Sequence, residues 1–351
     1  QMETEEDTMF PDRKFSSLKR GALLASAIAL ALAALPAASR AEVREMRLRA
    51  GTSQSDQHPD YLGFKKFAEL VSEKSGGKIK ISVAPGATLG TDVQMQANLQ
   101  AGTQEFMSGS PVTIPEVSVL DLPYVFRSTE EYDKLMDGVV GARFNELMAQ
   151  KGWIGLGFTN NGFRETTTKT KPITKWEDFQ GLKIRAIQNP MYLELFSTLG
   201  ANPTPLPVSE IYTALETGTV EAQENPLPQI VFMRLFEVQK YLSLTNHSLN
   251  SVVMLVGKPT WEKLNDDEKK IISEAAREVT LYKRDLVKSK TGEWLESVKK
   301  AGVTVNEISP AERERFAEKV KPVVEKFSAQ VGKDFSDMYF SELKKIQSGA
   351  N

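Results

Sequence analysis

Stretches that alternate apolar and polar residues take turns with stretches whose apolar residues recur every third or fourth position, and this rhythm runs from residue 46 to residue 256. A strand with one apolar face and a helix with one apolar stripe each need a neighbour to cover that face, so the repeated order restricts the chain to layered α/β packing. Met46, Leu48 and Ala50 alternate with Arg47 and Arg49, and Phe64, Phe67, Ala68 and Val71 follow at helical spacing. Residues 78–83 alternate again, Pro85 and Gly86 break the pattern, and a helix is expected over 92–99. An apolar strand is expected over 117–125. Ser128-Thr-Glu-Glu131 has capping-box spacing and opens a helix expected to reach Gln150. Strands at 153–158, 182–186 and 219–222, with helices at 191–199 and 209–215, continue the βαβ order of a doubly wound parallel sheet. Residues 241–245 and 251–256 read as two further strands.

The tail changes character. Asn265-Asp-Asp-Glu268 and Ser309-Pro-Ala-Glu312 each place an N-cap residue three positions before a glutamate, and Pro310 adds a proline at the first helical turn. The first of these helices is expected from about residue 266 to about residue 300, with Ile271, Ile272, Ala275, Val279 and Leu286 on or near one face. A helix of that length either lies across two lobes as a strut or packs along one sheet. A strand at 303–308 separates it from the last helices.

The front of the chain points to export. Arg13, Lys14, Lys19 and Arg20 precede an apolar run from Gly21 to Leu35, and the small residues Ala37, Ala38, Ser39 and Ala41 follow. This is the charge, apolar core and cleavage-site order of a secretory signal peptide, with cleavage expected after Ala41. The run is shorter than the roughly 20 residues that span a bilayer. Residues 1–41 are therefore read as a leader with an acidic extension at its start, and residues 42–351 as the mature product in the periplasm.

Composition removes several chemistries. The chain has no cysteine and only two histidines, His58 and His247, so a disulfide framework, a thiolate nucleophile and a Cys- or His-rich metal site are all excluded as expectations. Forty-four basic and 46 acidic side chains give a net charge of −2 with no basic stripe, which argues against nucleic acid. No dinucleotide fingerprint, phosphate loop or nucleophile elbow is present, and no carboxylate pair is marked out for acid–base work. The reading is a non-enzyme without a cofactor.

Two arginines stand out by position. Arg164 in Asn161-Gly-Phe-Arg164 and Arg185 in Gly181-Leu-Lys-Ile-Arg185 each sit where a short apolar run meets loop residues, from which a guanidinium can reach a cleft and hold a carboxylate through two parallel hydrogen bonds. Around them the runs Gly181-Leu-Lys-Ile-Arg185-Ala-Ile-Gln-Asn189-Pro, Leu199-Gly-Ala-Asn202-Pro-Thr-Pro and Glu210-Ile-Tyr212 to Glu224-Asn225-Pro226 resemble the DctP-type substrate-binding proteins of tripartite ATP-independent periplasmic (TRAP) transporters. Phe67-Ala-Glu, Leu89-Gly90 and Leu120-Asp-Leu-Pro-Tyr-Val-Phe126 extend the resemblance along the mature chain.

The resemblance implies a two-lobed periplasmic binding protein of the Venus-flytrap type, with hinge strands, a long bracing helix and an organic acid in the cleft. By its motifs Arg185 pairs with the ligand carboxylate, Arg164 assists and Asn225 contacts the ligand. The family's Val-Asp-Gly becomes Val220-Glu221-Ala222 here, and Ser108-Gly-Ser-Pro-Val-Thr is shorter than the corresponding first-lobe loop of many relatives. Contacts from that lobe decide which acid closes the cleft, and the candidates are Asp56, His58, Ser108 and Ser110, with Gln188 and Asn189 following Arg185. Residues 42–162 with about 251–290 are expected to form one lobe, and 163–250 with about 291–351 the other. The implied function is a monomeric receptor for an organic acid, a sugar acid or a C4-dicarboxylate, that serves a membrane permease. An exported enzyme and a sensory protein docking to a receptor kinase are the alternatives.

Overall fold

The computed structural model describes residues 42–110, 112 and 115–349; the expected leader at 1–41 lies outside the described residues. The chain runs β1 (Met46–Gly51), α1 (Pro59–Lys74), β2 (Ile79–Ala84), α2 (Asp92–Ala101) and β3 (Phe106–Gly109) before a 3₁₀ segment at Pro115–Asp121. Helices α3 (Thr129–Met136) and α4 (Val139–Gln150) lead into β4 (Trp153–Thr168). Next come β5 (Lys183–Ala186), α5 (Pro190–Thr198), β6 (Asn202–Pro205), α6 (Ile211–Glu216), β7 (Ala222–Pro226), α7 (Leu227–Phe232) and β8 (Tyr241–Gly257). The tail holds α8 (Lys258–Lys263), α9 (Asp266–Lys300), β9 (Thr304–Glu307), α10 (Pro310–Gln330) and α11 (Lys333–Ser348).

One sheet carries these strands in the order β2-β1-β3-β8-β4-β7-β5-β6, with β9 beside β8. The outer pairs β1–β2, β1–β3, β5–β6 and β5–β7 are parallel, as the βαβ reading predicts. The centre differs from that reading: β4 and β8 are 16 and 17 residues long, antiparallel to each other, and join the two parallel wings. Only their apolar ends, 153–158, 241–245 and 251–256, are legible from periodicity. Between those ends lie the buried polar residues Asn160, Asn161, Arg164, His247, Ser248 and Asn250, which break the apolar count while the backbone continues as strand. The register of the pair slips at three places, including Asn160/Phe163 and Arg164/Thr166, so the strands bend where the polar residues sit.

Two other expectations change. Residues 117–125 do not form a strand; their first part is the 3₁₀ segment, where Val117, Val119 and Leu120 are buried without a ladder partner. The helix expected over 128–150 is split at Asp137–Gly138, and the opening cap is Ser128, whose Oγ accepts from Glu131 N at 3.3 Å.

The long helix is a strut. Ile272, Ala275, Ala276 and Val279 of α9 pack with Phe64, Phe67 and Phe106 in a core under the first wing. Val287, Trp294 and Val298, farther along the same helix, pack with Ile211, Leu215 and Ile230 under the second. Its start is fixed by a reciprocal box, with Glu268 N on Asn265 Oδ1 at 3.0 Å and Asn265 N on Glu268 Oε2 at 2.9 Å. Three acids in its first turn and Lys299 and Lys300 in its last complement the helix dipole. The final helix crosses back: Phe335 of α11 meets Phe144 of α4 at 4.8 Å between ring centroids, and Gln347 Nε2 donates to Val125 O at 3.2 Å. It packs against α3, α4 and α10.

Close approach also fixes the end of β8. A Cβ on Gly257 would stand 2.3 Å from Leu99 O, a backbone atom of α2 that cannot swing away. We expect Gly257→Ala to destabilise the fold by about 1–3 kcal/mol, the usual cost of overpacking; a melting temperature equal to that of the parent would show that α2 and β8 tolerate separation.

Candidate ligand-binding site

Strand order brings the two singled-out arginines together. β7 lies between β4 and β5, with Asn225 opposite Glu165 and Gln223 opposite Arg185. All five residues of β7 are buried, so its polar side chains find partners within the protein or face a cavity.

Arg164 and Arg185 are both 1 % exposed, yet their surroundings differ. Arg164 is paired with Glu224 through Nε, and its Nη2 donates to Glu224 Oε1 and Glu224 O, both at 2.8 Å, and to Asn225 Oδ1 at 3.2 Å. It also stands over the Tyr192 ring at 5.0 Å. His247 Nε2 is 3.1 Å from the same Glu224 carboxylate. Burial pushes the Glu224 carboxyl up, but Arg164 and His247 outweigh it and hold it at about 2. Arg164 is thus neutralised within the protein.

Arg185 has no such partner among the described residues. Its Nε and Nη2 both donate to the carbonyl of Leu206, at 3.0 and 2.7 Å, which satisfies hydrogen bonds without supplying charge. Burial lowers its pKa to about 10, and the attraction of Glu224 and Asp92 recovers only part of that. A buried cation without a counter-ion is costly, by several kcal/mol, unless an anion joins it.

The cavity beside Arg185 is lined by Arg164, Asn225 and Ile187 from the second wing and its strand ends, and by Gln54, Asp60, Asp92, Ser110, Asn161, Gln229 and Asn250 around them. It holds about 20 Å³, room for about one water, so an organic ligand enters only when the wings part. A larger groove of about 690 Å³ lies along α9, but its Arg284 and Lys288 are already paired with Asp133, Asp137 and Glu130. The small cavity is the place with a buried, unpaired cation.

Four of the sequence candidates, Arg164, Arg185, Asn225 and Ser110, line this cavity. Ser110 Oγ donates to Ser251 O at 3.2 Å and accepts from Asn250 Nδ2 at 3.2 Å. The others lie elsewhere. Asp56 and Gln188 are exposed. Asn189 is buried but caps α5, its Oδ1 accepting from Met191 N at 2.9 Å and from Ser118 Oγ at 3.1 Å. His58 caps α1, with Nδ1 accepting from Asp60 N at 3.1 Å, and burial lowers its pKa to about 4. Ser108 lines a separate small void behind the cavity with Asp60 and Lys283.

The acids of the cavity escape the sequence reading. Asp60 follows the His58-Pro59 helix start and Asp92 follows the Thr91 cap, so both read as ordinary first-turn carboxylates. Asp92 Oδ2 accepts from Ser53 Oγ at 3.2 Å while its Oδ1 is buried without a partner, and burial pushes its pKa up to about 6. That oxygen keeps its acceptor capacity unused at the cavity wall. Asn161 was legible as part of the Arg164 motif, and its Nδ2 is 3.3 Å from both Asp60 Oδ2 and Asn250 Oδ1.

In the larger groove along α9, Glu165 is 5 % exposed and accepts from Asn246 N at 2.9 Å at the bend of β4 and β8. Burial raises its pKa to about 8, against the opposing Asn246 N–H and Arg313. The unfolded chain releases this proton near pH 4.5 and the folded chain near pH 8, so stability falls as pH rises between those values. His58 and His247, both lowered by burial, act in the opposite sense below about pH 6.5. The clear window is pH 6.5–8: the melting temperature should fall with pH there, and Glu165→Gln should flatten the slope. An unchanged slope would place the ionisation elsewhere.

Comparison with known proteins gives the family. The family of bacterial extracellular solute-binding proteins, family 7 (DctP), matches residues 50–330. The 2,3-diketo-L-gulonate-binding periplasmic protein YiaO of Escherichia coli is 34 % identical over 294 residues, covering 83 % of this chain and 89 % of that one. The sugar acid binding protein DctPAm of Advenella mimigardefordensis, solved with galactonate, superposes with a TM-score of 0.84 at 36 % identity, covering 86 % of this chain and 99 % of that one. A TRAP periplasmic solute-binding protein of Sulfitobacter, solved with β-D-galacturonate, has a TM-score of 0.80 at 30 % identity, covering 84 % and 98 % of the two chains. With the family model matching residues 50–330 and the fold superposing on these receptors, the chain belongs to the DctP family of TRAP solute-binding proteins.

Proposed function

We propose that this chain is a periplasmic receptor that takes an organic acid by its carboxylate on Arg185 and delivers it to a TRAP-type membrane permease. The observation that carries the reading is the unpaired, buried Arg185 guanidinium beside an Arg164 already neutralised by Glu224. A carboxylate leaving water gives up strong hydration, and a bidentate arginine returns charge-assisted hydrogen bonds of matching geometry. Arg164 acts mainly through Asn225, whose Oδ1 it holds at 3.2 Å. A sugar acid fits better than a C4-dicarboxylate: Asp60, Asp92, Asn161 and Asn250 of the cavity suit hydroxyls, and the carboxylates of Asp60 and Asp92 oppose a second carboxylate. The similar proteins that bind 2,3-diketo-L-gulonate, galactonate and galacturonate support the same class.

In this reading residues 1–41 direct export and are removed, the mature receptor is monomeric, and it catalyses no reaction. The first lobe comprises 42–162 with part of 251–290, joined by α11, and the second comprises 163–250 with part of the tail; α9 spans both. Closure brings the first-lobe acceptors onto a ligand already held at Arg185. Ligand favours the closed form only by its differential affinity for it.

The test is a thermal-shift panel on residues 42–351 with galactonate, galacturonate, 2,3-diketo-L-gulonate, succinate and unsubstituted monocarboxylates. A ligand that binds only the folded chain raises its melting temperature by mass action. A shift with hydroxylated acids and none with succinate is the expected result; a shift with succinate alone would reverse the choice of class, and no shift with any acid would contradict the reading.

A further inference from the structure

One wall of the cavity is tied to the strut helix by a buried pair of charges. Asp60, 2 % exposed, faces the cavity from the first turn of α1, and its carboxylate is paired with Nζ of Lys283, 3 % exposed, from the middle of α9. Lys283 Nζ also donates to Thr159 Oγ1 of β4 at 2.9 Å, and Asn161 Nδ2 is 3.3 Å from Asp60 Oδ2. A strut needs only an apolar stripe at such a position, and a buried ion pair is on average no more stabilising than well-packed apolar side chains of the same volume. The pair therefore calls for a reason other than packing.

We infer that Lys283 is a positioning residue for the ligand: from outside the cavity wall it keeps Asp60 ionised and oriented as an acceptor for ligand hydroxyls, and so links cleft occupancy to α9. This rests on the organic-acid reading above. The groups that face Asp60 are His58 on its own element, Lys283 and Thr280 from α9, Thr159 and Asn161 from β4, and Asp92 from α2. His58 is neutral near pH 7 and Asp92 is an acid, so Lys283 supplies the compensating positive charge. A carboxylate with its lysine and one asparagine N–H still has lone pairs free for hydroxyl donors. The lysine sits one residue before Arg284, which pairs with Asp133 and Asp137, so this stretch of α9 is anchored to the first wing by charge on both sides.

The experiment is calorimetric titration of galactonate and galacturonate into the parent, Asp60→Asn, Lys283→Met and the double variant, from pH 5.5 to 8.5, with a melting curve for each. The inference expects Lys283→Met to weaken binding at least tenfold at pH 7.5 and to alter the pH profile of the Kd. It expects the double variant to bind no worse than Asp60→Asn and to share that variant's profile, because contacting residues are non-additive. A Lys283→Met protein with parental affinity and profile overturns it. Should that variant fail to fold, the double variant decides, since removing both charges leaves neither orphaned: parental affinity there overturns the inference, and affinity matching Asp60→Asn supports it. A parent that binds neither acid defeats the organic-acid reading itself, whereas binding by the parent with no effect at Lys283 defeats this inference alone.

Discussion

Replacing Arg185 by alanine is expected to abolish useful affinity for the ligand while leaving the fold intact. Truncating one partner of a buried, hydrogen-bonded charge pair costs roughly 2–5 kcal/mol, and RT of about 0.6 kcal/mol turns this into a loss of about thirty- to several-thousand-fold. Folding should survive because Arg185 contributes no ion pair among the described residues: its hydrogen bonds go to one carbonyl, Leu206 O. Removing an uncompensated buried cation relieves a desolvation penalty, so the unliganded melting temperature should hold or rise. Lysine is not expected to rescue binding, since its single ammonium cannot present the planar fork. Calorimetry and a melt on the same sample check both halves. Parental affinity in the variant would remove the carboxylate clamp from Arg185.

Glu224 should behave in the opposite way. Glu224→Ala leaves Arg164 buried without its counter-ion, at 1 % exposure, and leaves His247 Nε2 without a partner. The expected cost in folding free energy is about 3–5 kcal/mol, measurable by denaturant titration at pH 7. Because the folded-state carboxyl of Glu224 lies at about 2, below its unfolded value, its contribution is complete above the unfolded pKa and is lost as pH falls towards 2. The difference between parent and variant should therefore shrink in acid. Replacing Arg164 and Glu224 together with methionine should cost much less than the single change. If the double change cost as much as the two singles summed, Arg164 and Glu224 would be acting independently.

The contrast between these two variants follows from an arrangement that the chain only partly announces. Arg164 and Arg185 were legible as arginines that follow short apolar runs and Asn225 through the resemblance, and strand order brings β4, β5 and β7 side by side. The division of labour between the arginines was not legible, since it depends on which one Glu224 faces across β7. Periodicity located the helices well: α9 begins within its capping box and ends at Lys300, as its apolar stripe predicts. Periodicity also shortened β4 and β8, because Asn160 to Arg164 and His247 to Asn250 are polar residues that a buried cavity requires in mid-strand. The middle of both strands was hidden because its polar residues break the apolar count.

Loop polarity was the weaker guide. Asp56, His58, Gln188 and Asn189 were chosen because polar residues near the motif face a presumed cleft, yet Asp56 and Gln188 turn to solvent while His58 and Asn189 cap helices. A cap consumes the side-chain acceptor, so a residue just before Pro59 or Pro190 is already committed to the backbone. Asp60, in the first turn of α1, and Asp92, the first residue of α2 after its Thr91 cap, line the cavity instead.

A structure of residues 42–351 with galactonate bound tests the central claim most directly. The account predicts the galactonate carboxylate on Arg185 with two hydrogen bonds, Asn225 within contact, Glu224 still on Arg164, and the hydroxyls towards Asp60 and Asp92. A carboxylate seated on Arg164 with Glu224 displaced, or in the larger groove along α9, would contradict it.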